Sequence, residues 1–181
     1  MSTHLITKLW PAAALLVAAC SPTISPPPSP LPGEPTALPT TALASPVPAA
    51  GGCAGTQVYA GPGPDASLGL DQNPWAPAAP ASSGIVAYFW HAPPGLMLAN
   101  DPSGGSKVLW VDHEVPTSTL VIDAHPAAAA TPSIHVTAPA AGSPAGNYPS
   151  SIDATVPGCW HFDLTLGDVH ATLNIDVARA P

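Results

Sequence analysis

Cys159-Trp160-His161-Phe162-Asp163-Leu164-Thr165-Leu166, followed by Gly167-Asp168 and then by the run Val169 to Val177 (VHATLNIDV), is the stretch that decides the fold. Trp160, Phe162, Leu164 and Leu166 alternate with more polar neighbours, the period of two by which a strand turns one face to a core. Val169, Ala171, Leu173, Ile175 and Val177 repeat the pattern. Gly at the first of two central positions suits a type II′ turn, so the two runs predict a hairpin. That turn pairs Leu166 with Val169, Leu164 with Ala171, Phe162 with Leu173 and Trp160 with Ile175. Every apolar residue then meets an apolar one, an agreement that a slip of one residue would destroy. The same register sets His161 opposite Asn174, Asp163 opposite Thr172 and Thr165 opposite His170 on the outer face.

Upstream, short apolar runs are punctuated by Pro, Gly, Asn and Asp clusters. They are 84–91 (GIVAYFWH), 107–113 (KVLWVDH), 118–123 (STLVID, ending before His125-Pro126), 133–138 (SIHVTA) and 151–156 (SIDATV). In the Gly-, Pro- and Ala-rich segment 55–82 only Gln57-Val58-Tyr59 reads as a further strand. Residues 51–181, about 130 in all, are enough for one domain that buries about two-thirds of its unfolded surface. Seven to eight short strands without an amphipathic helix predict an all-β domain, a β-sandwich.

Gly146-Asn147-Tyr148-Pro149-Ser150-Ser151-Ile152 followed by Val156-Pro157-Gly158-Cys159-Trp160 resembles the C-terminal part of immunoglobulin-like domains of exported bacterial proteins. The resemblance implies an immunoglobulin-like antiparallel β-sandwich in which a Pro-Gly-x-Trp turn leads into the last hairpin and Trp160 plugs the core. It says almost nothing about activity. The chain departs from antibody-type domains, because alternation puts Cys159 on the outward side of its strand.

At the N-terminus, Lys8 precedes the uncharged run 9–19 (LWPAAALLVAA), and Cys20 follows directly. Eleven residues make a helix of about 16 Å, too short for a hydrocarbon core of roughly 30 Å, so the segment reads as a signal peptide. Val17-Ala18-Ala19-Cys20 resembles the lipobox of bacterial lipoproteins. It implies cleavage after Ala19, a lipid on Cys20 and an extracytoplasmic domain anchored to a bacterial cell membrane; the competing reading is an ordinary secretory signal with a chance cysteine. Residues 21–50 hold ten prolines and one charge, Glu34, and lack both donors and a periodic apolar face. The segment 20–50 is therefore expected to be a lipid-anchored tether, the alternatives being a Pro-rich recognition ligand or an O-glycosylated stalk. The cysteines left, Cys53 and Cys159, most simply form one disulfide in an oxidising compartment, the alternative being two free thiols. Closing a loop of 107 residues, it stabilises by about 4 to 5 kcal/mol in the chain-entropy model. Cys53 is then expected to dock the start of the domain over the outer face of the last hairpin.

Charged residues are only 8% of the chain, with a net charge of −8, which gives no electrostatic footprint for nucleic acid. Without the leader, Lys107 and Arg179 face all eleven acids, about −9. There is no G-x-S-x-G elbow and no phosphate loop, and His113-Glu114 lacks the second histidine of a zincin. A non-catalytic binding or scaffold module with a protein or glycan partner is the expectation, and no cofactor is called for. Trp75, Trp90 and Trp110 are its candidate stacking anchors. Trp90 and Trp110 lie inside apolar strands and are expected in the core, whereas Trp75, in Asn73-Pro74-Trp75-Ala76-Pro77, is expected in a loop. The alternative is a metal-binding envelope lipoprotein. His161, Asp163 and His170 share the hairpin's outer face, and imidazole with carboxylate is a ligand set for Zn²⁺ or Cu²⁺; the competing reading is that these histidines decorate a solvated sheet.

Overall fold

The computed structural model describes residues 44–92, 95–112, 118–141 and 146–181. The expected signal peptide (1–19), the lipidation candidate Cys20, the expected tether as far as residue 43 and His113 lie outside the described residues. Residues Ala42–Pro181 form one compact unit. The described residues contain eleven strands and two short 3₁₀ turns: β1 (Val47–Ala49), β2 (Val58–Ala60), β3 (Trp75–Pro77), β4 (Val86–Phe89), β5 (Met97–Ala99), β6 (Ser106–Val111), β7 (Leu120–Pro126), β8 (Ile134–Ala138), β9 (Asn147–Ile152), β10 (Gly158–Leu166) and β11 (Val169–Arg179).

One sheet has the order β1-β2-β3-β4-β6-β9 and is antiparallel; the other has the order β5-β11-β10-β7-β8 and is mixed, because β5 runs parallel to β11. Their inner faces share one core as a β-sandwich. Ala87, Phe89, Val108, Trp110, Tyr148 and Ile152 come from the first sheet, and Leu120, Ile122, Trp160, Phe162, Leu164 and Leu173 from the second. Trp110 and Phe162 meet across the interface with ring centroids 6.2 Å apart. Trp160 is fully buried, and its indole N–H donates to the carbonyl of Val156 at 2.9 Å. This bond from a buried ring to the exposed Val156–Gly158 turn ties the hairpin's entry to the core. Among the described residues no helix is long and apolar enough to cross a membrane.

The hairpin pairs as its alternation predicts, from Leu166 opposite Val169 to Trp160 opposite Ile175, with His161 opposite Asn174. Gly167 has φ 59°, as the first central residue of a type II′ turn requires. Elsewhere the structure corrects the expectation. Eleven strands replace seven or eight, because β1, β3 and β5 are three residues long and show no alternation. β1 falls within the segment 20–50 expected to be a tether; it is an outermost strand, where Pro48 is tolerated because a missing N–H costs no ladder bond on the open side. β9 lies upstream of the expected 151–156 for the same reason: Pro149 sits on an edge strand opposite Leu109. β7 continues past Asp123 through His125 to Pro126.

The open edge of β11 is covered by three separate segments. β5 pairs with Val177–Arg179. Next, the N–H of Asp176 donates to the carbonyl of Gly51 at 2.8 Å and the N–H of Cys53 to that of Asn174 at 3.3 Å; finally Ala79 and Thr172 exchange both bonds at 2.7 and 2.8 Å. Cys53 and Cys159 are joined in a disulfide. The segment carrying Cys53 thus docks along the edge of β11, not over the face as expected, since that edge offers unpaired donors and acceptors whereas the face does not.

Candidate functional site

Strand parity and cross-strand register build the outer face of the five-stranded sheet into rows. One row holds Asn174, His161 and His125; the next holds Thr172, Asp163, Asp123 and His135; the third holds His170, Thr165, Val121 and Thr137. Of the expected metal set, the structure brings two members together: His161 Nε2 lies 3.3 Å from Asp163 Oδ1. The third, His170, is one row away, with Nδ1 3.2 Å from the Thr165 hydroxyl. It shares with Asp163 a shallow depression of about 440 Å³ bounded by Pro80 and Thr172. Among the described residues no group of three His, Cys, Asp or Glu side chains stands arranged to hold a metal ion.

Sequence reasoning missed His125, Asp123 and His135. The ring of His125 is 5.6 Å from that of His161, centroid to centroid, and His135 Nδ1 is 2.7 Å from Asp123 Oδ1. The signal was there in Asp123-x-His125, which has the same spacing as His161-x-Asp163. Ending β7 before His125 hid it.

The outer face of the six-stranded sheet is only half open. Leu70, Trp75, Val86, Tyr88 and Val111 make a second small core on this face, beneath the segment that follows β2. The Tyr88 hydroxyl holds that segment down, donating to Asp65 Oδ2 and accepting from the Asp65 N–H, each at 3.0 Å. Burial, joined by the charge of Asp65, pushes the Tyr88 phenol far above its ordinary value. Trp75, expected in an exposed loop, instead lies in β3, buried and stacked on Tyr59 at 4.7 Å, with its indole N–H donating to Gly61 O at 3.2 Å.

Beyond this cap the sheet is uncovered, and there Trp90 stands 52% exposed. The expectation of a core position fails because Phe89 takes the inward parity, which leaves its neighbour outside. Trp110 is buried, as expected. Trp90, Lys107, Leu109, Pro149 and Ser151 line an open groove of about 510 Å³.

Directly after Trp90, His91 Nε2 lies 3.1 Å from Asp101 Oδ2. Asp101 is buried and organises the turn before β6: its carboxylate accepts from the Ser103 N–H and hydroxyl at 2.9 and 2.7 Å and from the Ser106 hydroxyl at 3.3 Å. The Ser103 bonds first, and His91 after them, hold its carboxyl below the usual range against the opposing effect of burial. These partners fix the turn that leads into β6, whose Lys107 lines the groove.

Comparison with protein-family models, with curated proteins and with solved structures returns no match.

Proposed function

We propose that this chain is a lipid-tethered, extracytoplasmic, non-catalytic binding module with an immunoglobulin-like sandwich, and that its ligand seats on the groove beside Trp90. The observation that carries the reading is the half-exposed indole on an otherwise ordered sheet face. A large apolar ring left in water costs stability by forgoing burial, and Trp is the side chain that most often anchors recognition. The groove adds Lys107, one of the two basic side chains outside the leader, and the apolar surfaces of Leu109 and Pro149. A flat aromatic face bordered by hydroxyl and ammonium groups suits a glycan ring or an extended protein segment. The tether reading rests on Val17-Ala18-Ala19-Cys20 and on the prolines that follow; multiple acyl chains, at about 0.8 kcal/mol per buried methylene, make such an anchor effectively permanent.

Two measurements test it. Labelling with a palmitate analogue, with Cys20→Ser beside the wild type, should mark only the wild type and release the variant from the membrane fraction; equal partition of both sinks the anchor. A glycan array probed with the full chain should give signals that Trp90→Ala removes, whereas signals untouched by that substitution would place the ligand elsewhere.

A further inference from the structure

We propose that the Trp90 groove takes an acidic glycan, in which a pyranose ring stacks on Trp90 and an anionic group on the sugar pairs with Lys107. This rests on the reading of that groove as the binding site and adds the chemistry of its ligand.

Trp90 is the one large aromatic side chain left exposed among the described residues. Lys107 stands beside it: β4 and β6 pair Phe89 with Val108, so the next step along sets Trp90 opposite Lys107. Lys107 is in turn opposite Ser151. Strands about 4.8 Å apart spread this row of three over about 10 Å, room for two sugar rings end to end. A lysine on a strand can serve to blunt an open sheet edge. β6 is flanked on both sides, by β4 and β9, so Lys107 has no edge to protect.

Its charge is also unspent. The ion pairs of the described residues each join a histidine to an aspartate, and no carboxylate lines the groove. Asp101, at the turn before β6, is buried and turned to Ser103, Ser106 and His91. An ammonium beside the indole repels a cationic ligand and attracts an anionic one. Charges beyond about 8 Å are screened at physiological salt, so Lys107 governs the groove although the chain carries a net charge of −8. A densely charged polymer would run past Lys107 onto acidic surface, which selects a glycan whose charges are spaced apart.

The serines set the remaining polarity. Ser150 is committed, donating to the Val108 carbonyl at 3.3 Å and accepting from the Trp110 indole N–H at 2.9 Å. Ser151 gives its proton to the Gly104 carbonyl at 2.8 Å, which leaves its oxygen to accept from a sugar hydroxyl. An extended peptide would instead add to the sheet through its backbone, and β9, the strand at the end of the sheet, presents Pro149 without an N–H.

The test is calorimetric titration of the purified full chain with three hexasaccharides: hyaluronan, with a carboxylate on alternate rings; its methyl ester, of the same shape without the charge; and κ-carrageenan, with a sulfate on alternate rings. At least one anionic probe should bind, and the preferred one names the anion. For hyaluronan, methyl esterification and Lys107→Gln each weaken binding about tenfold, Lys107→Arg keeps it within about threefold and Trp90→Ala weakens it about thirtyfold. The ester should bind Lys107→Gln as well as it binds the wild type, because the two changes remove the same contact; the Lys107 variants read κ-carrageenan in the same way. Lys107→Gln without effect on any anionic probe that binds, with loss in Trp90→Ala, would overturn the acidic ligand and leave the groove reading intact. Anionic binding untouched by Trp90→Ala would overturn both. Silence with both anionic probes would overturn the inference and turn the groove reading toward a protein segment.

Discussion

The Tyr88 hydroxyl and Asp65 are bonded twice over, through the carboxylate and through the backbone N–H, across 23 residues of sequence. This pair closes the small core over one end of the six-stranded sheet and so determines where the sheet is covered and where it is open. Tyr88→Phe keeps the ring and removes both bonds from a buried position. The expected cost is about 1 to 3 kcal/mol in denaturant unfolding, with faster amide exchange at residues 65–69. Unchanged exchange there would mean the segment is held by apolar packing alone.

Trp90 and Trp110 separate stability from exposure. Trp90→Ala should change unfolding free energy by no more than about 0.5 kcal/mol, as surface substitutions do, whereas Trp110→Ala should cost about 3 to 5 kcal/mol. Acrylamide quenching supplies an independent check, since only the wild type should contain a readily quenched tryptophan population that Trp90→Ala abolishes.

Joining Cys53 to Cys159 closes most of the domain into one loop. Reduction, or the double substitution Cys53→Ser/Cys159→Ser, should lower stability by about 4 kcal/mol. A loss well below about 2 kcal/mol would mean that the backbone bonds of residues 51–53 with β11 already hold this segment in the reduced chain.

Asp101 gives a pH signature. Its folded carboxyl titrates below the ordinary value of 3.8 because the ionised form accepts from Ser103 and faces His91. A depressed carboxyl contributes stability that is complete above its unfolded value and is lost as pH falls through the folded one. Stability should therefore decline as pH drops below about 4, and Asp101→Asn should flatten that part of the profile. An identical acid limb in the variant would assign the decline to other carboxylates.

How much of this was legible in the sequence depended on whether alternation existed to be read. In the last hairpin Trp160, Phe162, Leu164 and Leu166 alternate with His161, Asp163 and Thr165, so only one register buries every apolar group, and that register is observed. In GIVAYFWH nearly every residue is apolar, and both parities look equally fit for a core. Two separate cores do receive them: Ala87 and Phe89 face the sandwich, and Val86 and Tyr88 face the cap. Trp90 follows the outward parity but runs past the cap, which no local pattern announces. β1, β3 and β5 were illegible because three residues carry too little periodicity, and they are strands only through what they pair with. On the outer face, the hairpin made His161 and Asp163 legible as neighbours, but His125 and Asp123 came from β7, whose register against β10 no turn connects.

The arrangement along β11 bears on the order in which the chain can fold. Residues 51–53, 79 and 97–99 all complete their hydrogen bonding on β11, a strand that follows every one of them in the chain. Until that strand exists, three distant stretches of backbone lack partners, and the loops to be closed are nearly as long as the domain. Such non-local topology folds slowly, on the order of milliseconds to seconds. A chain cut short before Ala171 would therefore leave those stretches, and the edge of β10, without the strand they pair with.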